Sequence, residues 1–166
     1  MPRQLLRDGR IVVDEWRYLA ETTVDGAAPL IVPFDRWIQT RDLWISRTGP
    51  LGVLLAPASE VERLAPDLSR LKLIAAEFSG PGEGRGYSQA RLLRERWKFR
   101  GELRAAGYVR QDQLFFLARC GFNSFELKEG DFGSAAAALS TFSAAYQPSN
   151  DAGLGYTLAS RIAAGS

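Results

Sequence analysis

The stretch "GPGEGRGYSQARLLRERWKFRGELRAAG", residues 80–107, holds most of the side chains that could perform chemistry. Its first residues alternate glycine with other types and lead into a predicted helix that begins at about Ser88. Backbone N–H groups of such a loop can converge on an anion, and the positive end of the helix dipole strengthens their attraction. The loop therefore predicts an anion cradle, with an ordinary turn capped by Ser88 as the alternative. The cradle would be formed by Gly84, Arg85, Gly86 and Ser88.

The glycine loop does not carry a nucleotide fingerprint. No Gly-x-Gly-x-x-Gly spacing can be read in it, and no Gly-Lys-Ser/Thr follows it. The predicted ligand is therefore a generic small oxyanion.

Two opposite charges are predicted on one face of a strand. In "GELRAA", residues 101–106, alternation places Glu102 and Arg104 on the same side, although interior parallel strands are usually apolar on both faces. An ion pair inside a barrel-like interior is the structural interpretation. A ligand-facing pair is the functional one, in which Glu102, or Glu77 at the end of the preceding strand, serves as a catalytic base.

Positive charge is concentrated around this strand. Nine Arg and Lys residues against three Asp and Glu lie between Arg85 and Arg119, although the whole chain carries only +2. Arg91 and Arg94 on the predicted helix add to a candidate binding face, and Asp112 in the first turn of the next helix is either a dipole-favoured acid or a site residue. A solvated basic face is the alternative to an anion or acidic-partner site. No nucleic-acid-binding signature accompanies the charge, so nucleic acid is not expected as a partner.

The absence of histidine restricts the chemistry further. Without histidine and with the single Cys120, the chain lacks the usual general base and zinc ligand and the cysteines of a common iron–sulfur cluster. No metal and no cofactor is expected. Cys120 itself is interpreted as a buried structural thiol, because no histidine can activate it. One cysteine, no secretory signal and no membrane-length apolar run predict a cytoplasmic protein without a membrane segment.

The elements that must position these residues alternate between strand and helix. Apolar runs predict strands at "GPLGVLLAP", "LKLIAAEF", "GELRAA" and "FNSFEL", with helices between them, and "LLRDGRIVVDEWRYLA" predicts one or two short edge strands around Asp8 and Gly9. The fold class is therefore α/β, with about four parallel strands joined by right-handed crossovers. Two layouts remain open, half of a (β/α) barrel and an open sheet like that of Rossmann or flavodoxin folds. Ligands of either layout gather at the carboxyl ends of the strands.

The chain is predicted to form one α/β domain over residues 1–146. The remainder, 147–166, is rich in small residues and is expected to be a loosely ordered tail. If the sheet is a half-barrel, a second copy of the chain could cover its open edge. The sequence therefore leaves undecided whether the protein forms a homodimer.

The run "GRGYSQARLLRERWKFRGELRAAGYVRQDQLFFLARCGFNSFEL" resembles the bacterial family called domain of unknown function 934. The similarity is specific through residues 84–127 and looser over most of the remaining chain. Glu83 stands where the family usually has Asp before Gly-Arg-Gly, and Tyr108 stands where it has another Asp. Genes of this family are usually found near assimilatory sulfite reductase, and some members are labelled oxidoreductases without a defined reaction. The resemblance implies a role in sulfate assimilation, with sulfite reductase as the expected partner.

Three functional hypotheses follow. The first is an accessory protein of sulfite reduction that binds an acidic partner or a small oxyanion through its basic 85–110 region. The second is a small enzyme for a phosphate- or sulfate-bearing metabolite, which requires Glu77, Arg85, Glu102 and Arg104 to converge in one pocket. The third is a degenerate domain whose charged strand survives as structure. The sequence leaves open whether the chain is an enzyme.

Overall fold

The computed structural model describes residues 3–21, 27–127 and 132–145, which form a mixed eight-stranded sheet with helices. The strands are β1 (Gln4–Arg7), β2 (Arg10–Val13), β3 (Arg17–Tyr18), β4 (Leu30–Pro33), β5 (Leu51–Leu55), β6 (Leu71–Phe78), β7 (Glu102–Gly107) and β8 (Ser124–Phe125). The α-helices are α1 (Phe34–Gln39), α2 (Arg41–Ile45), α3 (Arg85–Arg91), α4 (Leu114–Cys120) and α5 (Phe132–Ala145). Tighter 3-10 turns cover Leu19–Glu21, Val61–Arg70 and Gln111–Gln113, and a π-helical turn covers Leu92–Arg96.

The sheet has the order β2-β1-β8-β7-β6-β5-β4-β3. Strands β3 to β8 pair in parallel, whereas β1 is antiparallel to both β8 and β2. The α/β class is confirmed, but the prediction of about four parallel strands is wrong. It missed β4, a short apolar run that ends at Pro33, and β3, whose two residues are too few to show any periodicity.

The sheet is curled into a half-barrel, as one of the two predicted layouts required. Strands β2 and β3 are consecutive in the chain but occupy opposite edges of the sheet. Only residues 14–16 join them, and the four steps from Val13 to Arg17 span at most about 14 Å. A flat sheet of eight strands would be about 34 Å wide. The edges are therefore drawn together, and residues 14–16 (the bridge) cross the inner face.

Two apolar layers line the two faces of the sheet. The larger core lies on the outer face, where α3 packs on β6 and α5 contacts β1 and β2. A smaller cluster lies on the inner face under the bridge and consists of Trp16, Ile31, Leu73, Ala75 and Ala106. Alternation along β6 and β7 sends their residues to these two layers in turn, which is why β6 is apolar from Leu73 to Ala76, whereas β7 places the charged Glu102 and Arg104 on the inner face.

The predicted N-terminal strands form a hairpin, since Asp8 and Gly9 both have the positive φ that a two-residue turn requires. Of these two hairpin strands, only β2 lies at an edge of the sheet, because β1 is inserted between β2 and β8. The helix expected from Ser88 to Trp97 begins at Arg85 instead, and its last turn is π-helical. The predicted tail, 147–166, lies outside the described residues, and the single domain over 1–146 stays a prediction.

Candidate functional site

The inner face of the half-barrel holds a buried charge cluster centred on Arg104. This side chain is 0% exposed, and its guanidinium contacts three carboxylates. Its Nη1 lies 3.1 Å from Asp14 Oδ2 and 3.0 Å from Glu126 Oε1, and its Nη2 lies 3.0 Å from Glu102 Oε1. The mutual ion pair of Glu102 and Arg104 that the alternation indicated is therefore present, and Asp14 and Glu126 extend it.

The surroundings of this cluster keep it charged. Burial alone would lower the pKa of Arg104, but the carboxylates of Glu102, Asp14 and Glu126 outweigh burial and raise it. Tyr18 Oη donates a short hydrogen bond to Glu126, and burial followed by that carboxylate raises the pKa of Tyr18. Arg3 adds a second cation, with its Nη2 3.2 Å from Asp14 Oδ2. The cluster joins the bridge to β3, to β7 and to the residue that follows β8. The hydrogen-bonding capacity of the Arg104 guanidinium is taken up by carboxylates of its own chain.

The catalytic residues of the enzyme hypothesis do not meet in one pocket. Glu77 and Glu102 belong to the inner face of the sheet with Arg104, since Glu77 pairs with Ala106 and Ala75 with Arg104 across β6 and β7. Arg85 lies on α3, which packs against the outer face, and its Nε is 3.6 Å from Glu83 Oε1. The predicted oxyanion clamp of Arg85 with Arg104 is therefore not assembled.

The glycine loop does not form the predicted cradle either. The backbone N–H of Arg85 donates to the Glu83 carboxylate at 3.0 Å, so an acid of the loop itself occupies the start of α3. Gly84 precedes the helix and is exposed, whereas Gly86 is buried against Phe78, where a Cβ would lie 2.6 Å from the ring. Ser88 is exposed inside the helix and does not cap it.

The other predicted ligand residues point to separate places. Arg91 pairs with Glu95 at 3.3 Å and Asp112 with Arg110 at 3.4 Å, and both pairs are exposed. Arg94 is only 1% exposed and donates to the carbonyls of Gly121, Phe99 and Gly101 and to Asn123 Oδ1. Arg94 is thus an internal tie between chain segments.

A cleft of about 570 Å³ opens at the amino ends of β6 and β7. It was not predicted, and it lies at the opposite edge from the one where parallel sheets usually bind ligands. Its floor is apolar and its sides carry three cations. This basic cleft is lined by Leu68, Ser69, Leu71, Lys72, Trp97, Lys98, Phe99, Arg100 and Gly101.

One wall of the basic cleft is held in a fixed shape. Arg94 Nη1 restrains the backbone of the wall, because it donates to Phe99 O at 2.7 Å and to Gly101 O at 2.9 Å. Lys98 has φ 54°, a left-handed conformation that costs a non-glycine residue about 1 kcal/mol or more. Gly101 is required, since a Cβ would lie 2.7 Å from Lys72 O. The wall follows the π-helical turn, an irregularity that is frequent at functional sites.

Two signals in the sequence point to the basic cleft in retrospect. Cations alternate with aromatic residues in "WKFRG", residues 97–101, and Lys72 is the one charge in the apolar part of "LKLIAAEF". Neither signal shows that the two segments face each other, because that depends on the pairing of β6 with β7.

Two features of the described residues, 3–21, 27–127 and 132–145, bear on the class of site. No three His, Cys, Asp or Glu side chains among them are grouped so as to hold a metal ion. Within the same ranges, none of the helices has both the length and the apolar content needed to span a bilayer.

The fold and the basic cleft define an α/β half-barrel protein with a cationic surface site. Residues 52–155 match the family described as bacterial protein of unknown function (DUF934). Because this match covers more than half of the chain, the protein belongs to that family, as its sequence resemblance indicated. None of the curated proteins matches the chain.

Proposed function

We propose that this protein is an accessory protein of assimilatory sulfite reduction that docks an acidic partner through the basic cleft. One observation carries the proposal: Lys72, Lys98 and Arg100 line a single cleft whose nine lining residues include no Asp or Glu. A cleft lined by charges of one sign focuses the electrostatic field and attracts a partner of opposite sign.

An acidic protein surface fits the basic cleft better than a small oxyanion does. At about 570 Å³, the cleft is within the range of sites for much larger ligands. Small oxyanions are held by donors that converge on one point, whereas these three cations are exposed around an apolar floor. Such an arrangement is typical of a protein interface, which has an apolar centre and a polar rim.

Sulfite reductase is the partner that we propose. Support comes from the family resemblance, since genes of that family are usually found near assimilatory sulfite reductase. The internal charges do not compete for this role, because Arg94 and Arg104 are buried and already bonded to the chain. The enzyme alternative has no comparable support, since Arg104 is saturated by three carboxylates and Arg85 is on the other face of the sheet.

Calorimetric titration of purified sulfite reductase with this protein tests the proposal. At low salt we expect saturable binding that weakens as salt is added. Replacing Lys98 and Arg100 together by Glu should weaken binding about tenfold or more, because charge reversal removes the steering field. The matched control reverses two exposed cations elsewhere, Arg10 and Arg36, and should leave binding unchanged. Absence of binding at low salt, or equal losses in both double variants, would contradict the proposal.

A further inference from the structure

The floor of the basic cleft distinguishes it from a plain cationic patch. Leu68 and Leu71 enter from the end of the 3-10 turn and the start of β6, and Trp97 and Phe99 enter from the opposite wall. Leu71 and Phe99 are almost completely buried, whereas Leu68 and Trp97 are half-buried and expose apolar surface inside the cleft. Covering the apolar surface that is exposed within this ring of cations favours binding only when the covering group is itself apolar.

We infer that the basic cleft receives an acidic protein segment that carries one aromatic or large aliphatic side chain, which packs against Leu68 and Trp97. This inference rests on the proposed function and specifies its partner. Carboxylates on either side of the anchor meet Lys72, Lys98 and Arg100 at the rim. A buried apolar anchor surrounded by charge pairs is the usual composition of an interface hot spot.

The rigid wall supports a recognition role for the basic cleft. Arg94 fixes the backbone of Phe99 and Gly101 before any partner arrives, so little conformational entropy is lost on binding. The left-handed backbone of Lys98 is strained, and strain of this kind is concentrated at functional sites. Lys98 lies in the sequence between Trp97 and Phe99, and all three residues line the cleft.

Single-stranded nucleic acid fits the basic cleft less well than an acidic segment. Such strands are bound by successive open aromatic faces on which bases stack. Here the Arg96 guanidinium lies over the Trp97 ring, 5.0 Å from its centroid, and Arg94 lies over the Phe99 ring at 5.7 Å. Phe99 is also only 4% exposed. One face of the Trp97 ring is therefore occupied by Arg96 and the Phe99 ring is buried, so the wall does not offer the succession of open aromatic faces that stacking bases require.

The experiment uses two synthetic peptides of equal charge. One is a short stretch of Asp and Glu with a central phenylalanine, and its twin has serine in place of phenylalanine. Trp97 is the readout, because Trp16, Trp37 and Trp44 are buried and a cleft ligand changes the fluorescence of Trp97 alone. We expect the phenylalanine peptide to bind about tenfold or more tightly than its twin, the gain from burying one large apolar side chain.

Variants locate the binding within the cleft. Leu68→Ser should abolish the preference for the phenylalanine peptide, and Lys98→Glu should weaken both peptides equally. Leu43→Ser removes a more exposed leucine on α2, outside the cleft, and should change the binding of neither peptide. Circular dichroism checks that each variant is folded, and Leu68→Ala replaces Leu68→Ser if the latter is not.

Three results would overturn the inference: equal binding of the two peptides, no binding of either, or tighter binding of an oligouridine strand than of the phenylalanine peptide. The failure of this inference can be separated from that of the proposed function. If sulfite reductase still binds and the double variant with Lys98 and Arg100 reversed still loses it, the docking function stands and only the apolar anchor is wrong. If the reductase does not bind while the phenylalanine peptide does, the anchor stands and the partner is wrong.

Discussion

Two buried arginines carry out different structural tasks in this protein. Arg104 neutralises three carboxylates and joins the bridge to the sheet. Arg94 donates to backbone carbonyls and to an amide oxygen of segments that meet below α3. Both residues were predicted as ligand anchors, because an arginine that binds its own chain and one that binds a ligand look the same in a sequence.

Replacing Arg94 by Met should destabilise the fold by about 3 kcal/mol or more, because three backbone carbonyls lose a donor and Asn123 Oδ1 keeps only the Leu103 N–H. Arg94→Lys should recover only part of this loss, since an ammonium cannot reproduce the planar fork of a guanidinium. Urea unfolding measures both changes. Arg85→Met is the control and should cost less than about 0.5 kcal/mol, because its ion pair with Glu83 is exposed. Equal losses for Arg94→Met and Arg85→Met would contradict this account.

The stability that Tyr18 contributes to the charge cluster should decrease at alkaline pH. At neutral pH, Tyr18→Phe should lower the free energy of unfolding by about 1 to 2 kcal/mol, through loss of the hydrogen bond to Glu126. Because the folded-state pKa of Tyr18 is raised, its stabilising contribution is complete below the ordinary tyrosine pKa of about 10. Above that pH the unfolded state ionises first, so the wild type loses stability that the Phe variant does not.

Urea unfolding of both proteins from neutral pH to above about pH 10 therefore tests this role of Tyr18. The difference between them should narrow as the pH rises, while the other tyrosines affect both proteins alike. A difference that stays constant or widens would show that the pKa of Tyr18 is not raised in the folded state.

At the level of elements, the π-helical turn and the residues after it form the wall of the basic cleft. Lys98 is left-handed there, so its replacement separates backbone strain from charge. Lys98→Gly and Lys98→Ala remove the same cation, but only glycine adopts this φ without strain. We expect Lys98→Gly to be about 1 kcal/mol more stable than Lys98→Ala in urea unfolding, although both should bind the acidic peptides less well. An alanine variant as stable as the glycine variant would show that the left-handed backbone at this position is not strained.

How far the sequence predicts an element depends on how local its cause is. Strands β5 and β6 were predicted because their apolar runs and flanking residues suffice to define them. The pairing of Glu102 with Arg104 was also readable, since it follows from alternation within one strand. Asp14, however, is 90 residues from Arg104, and nothing local in "VVDEW" indicates that it crosses the sheet. The basic cleft was missed for the same reason, because its two walls meet only through the pairing of β6 with β7.

At the scale of the whole molecule, the three-residue bridge determines how far the sheet curls. It sets the distance between the edge strands β2 and β3, places Trp16 in the inner apolar cluster, and brings Asp14 to Arg104. Hydrophobic periodicity could not distinguish an open sheet from a half-barrel, since both layouts use the same strands. The length of this connection and the position of its ends decide it.

Lengthening the bridge should therefore destabilise the protein far more than lengthening a surface loop. A Gly-Gly insertion between Glu15 and Trp16 displaces Trp16 or Asp14 from its place, and loss of the buried tryptophan contacts alone costs about 3 kcal/mol or more. The same insertion between Pro81 and Gly82, where space is open, should cost less than about 1 kcal/mol. Urea unfolding gives both values, and near-ultraviolet circular dichroism reports whether the tryptophan environment changes. If the two insertions cost the same, the bridge does not hold the edges together, and the curl of the sheet must come from the strands themselves.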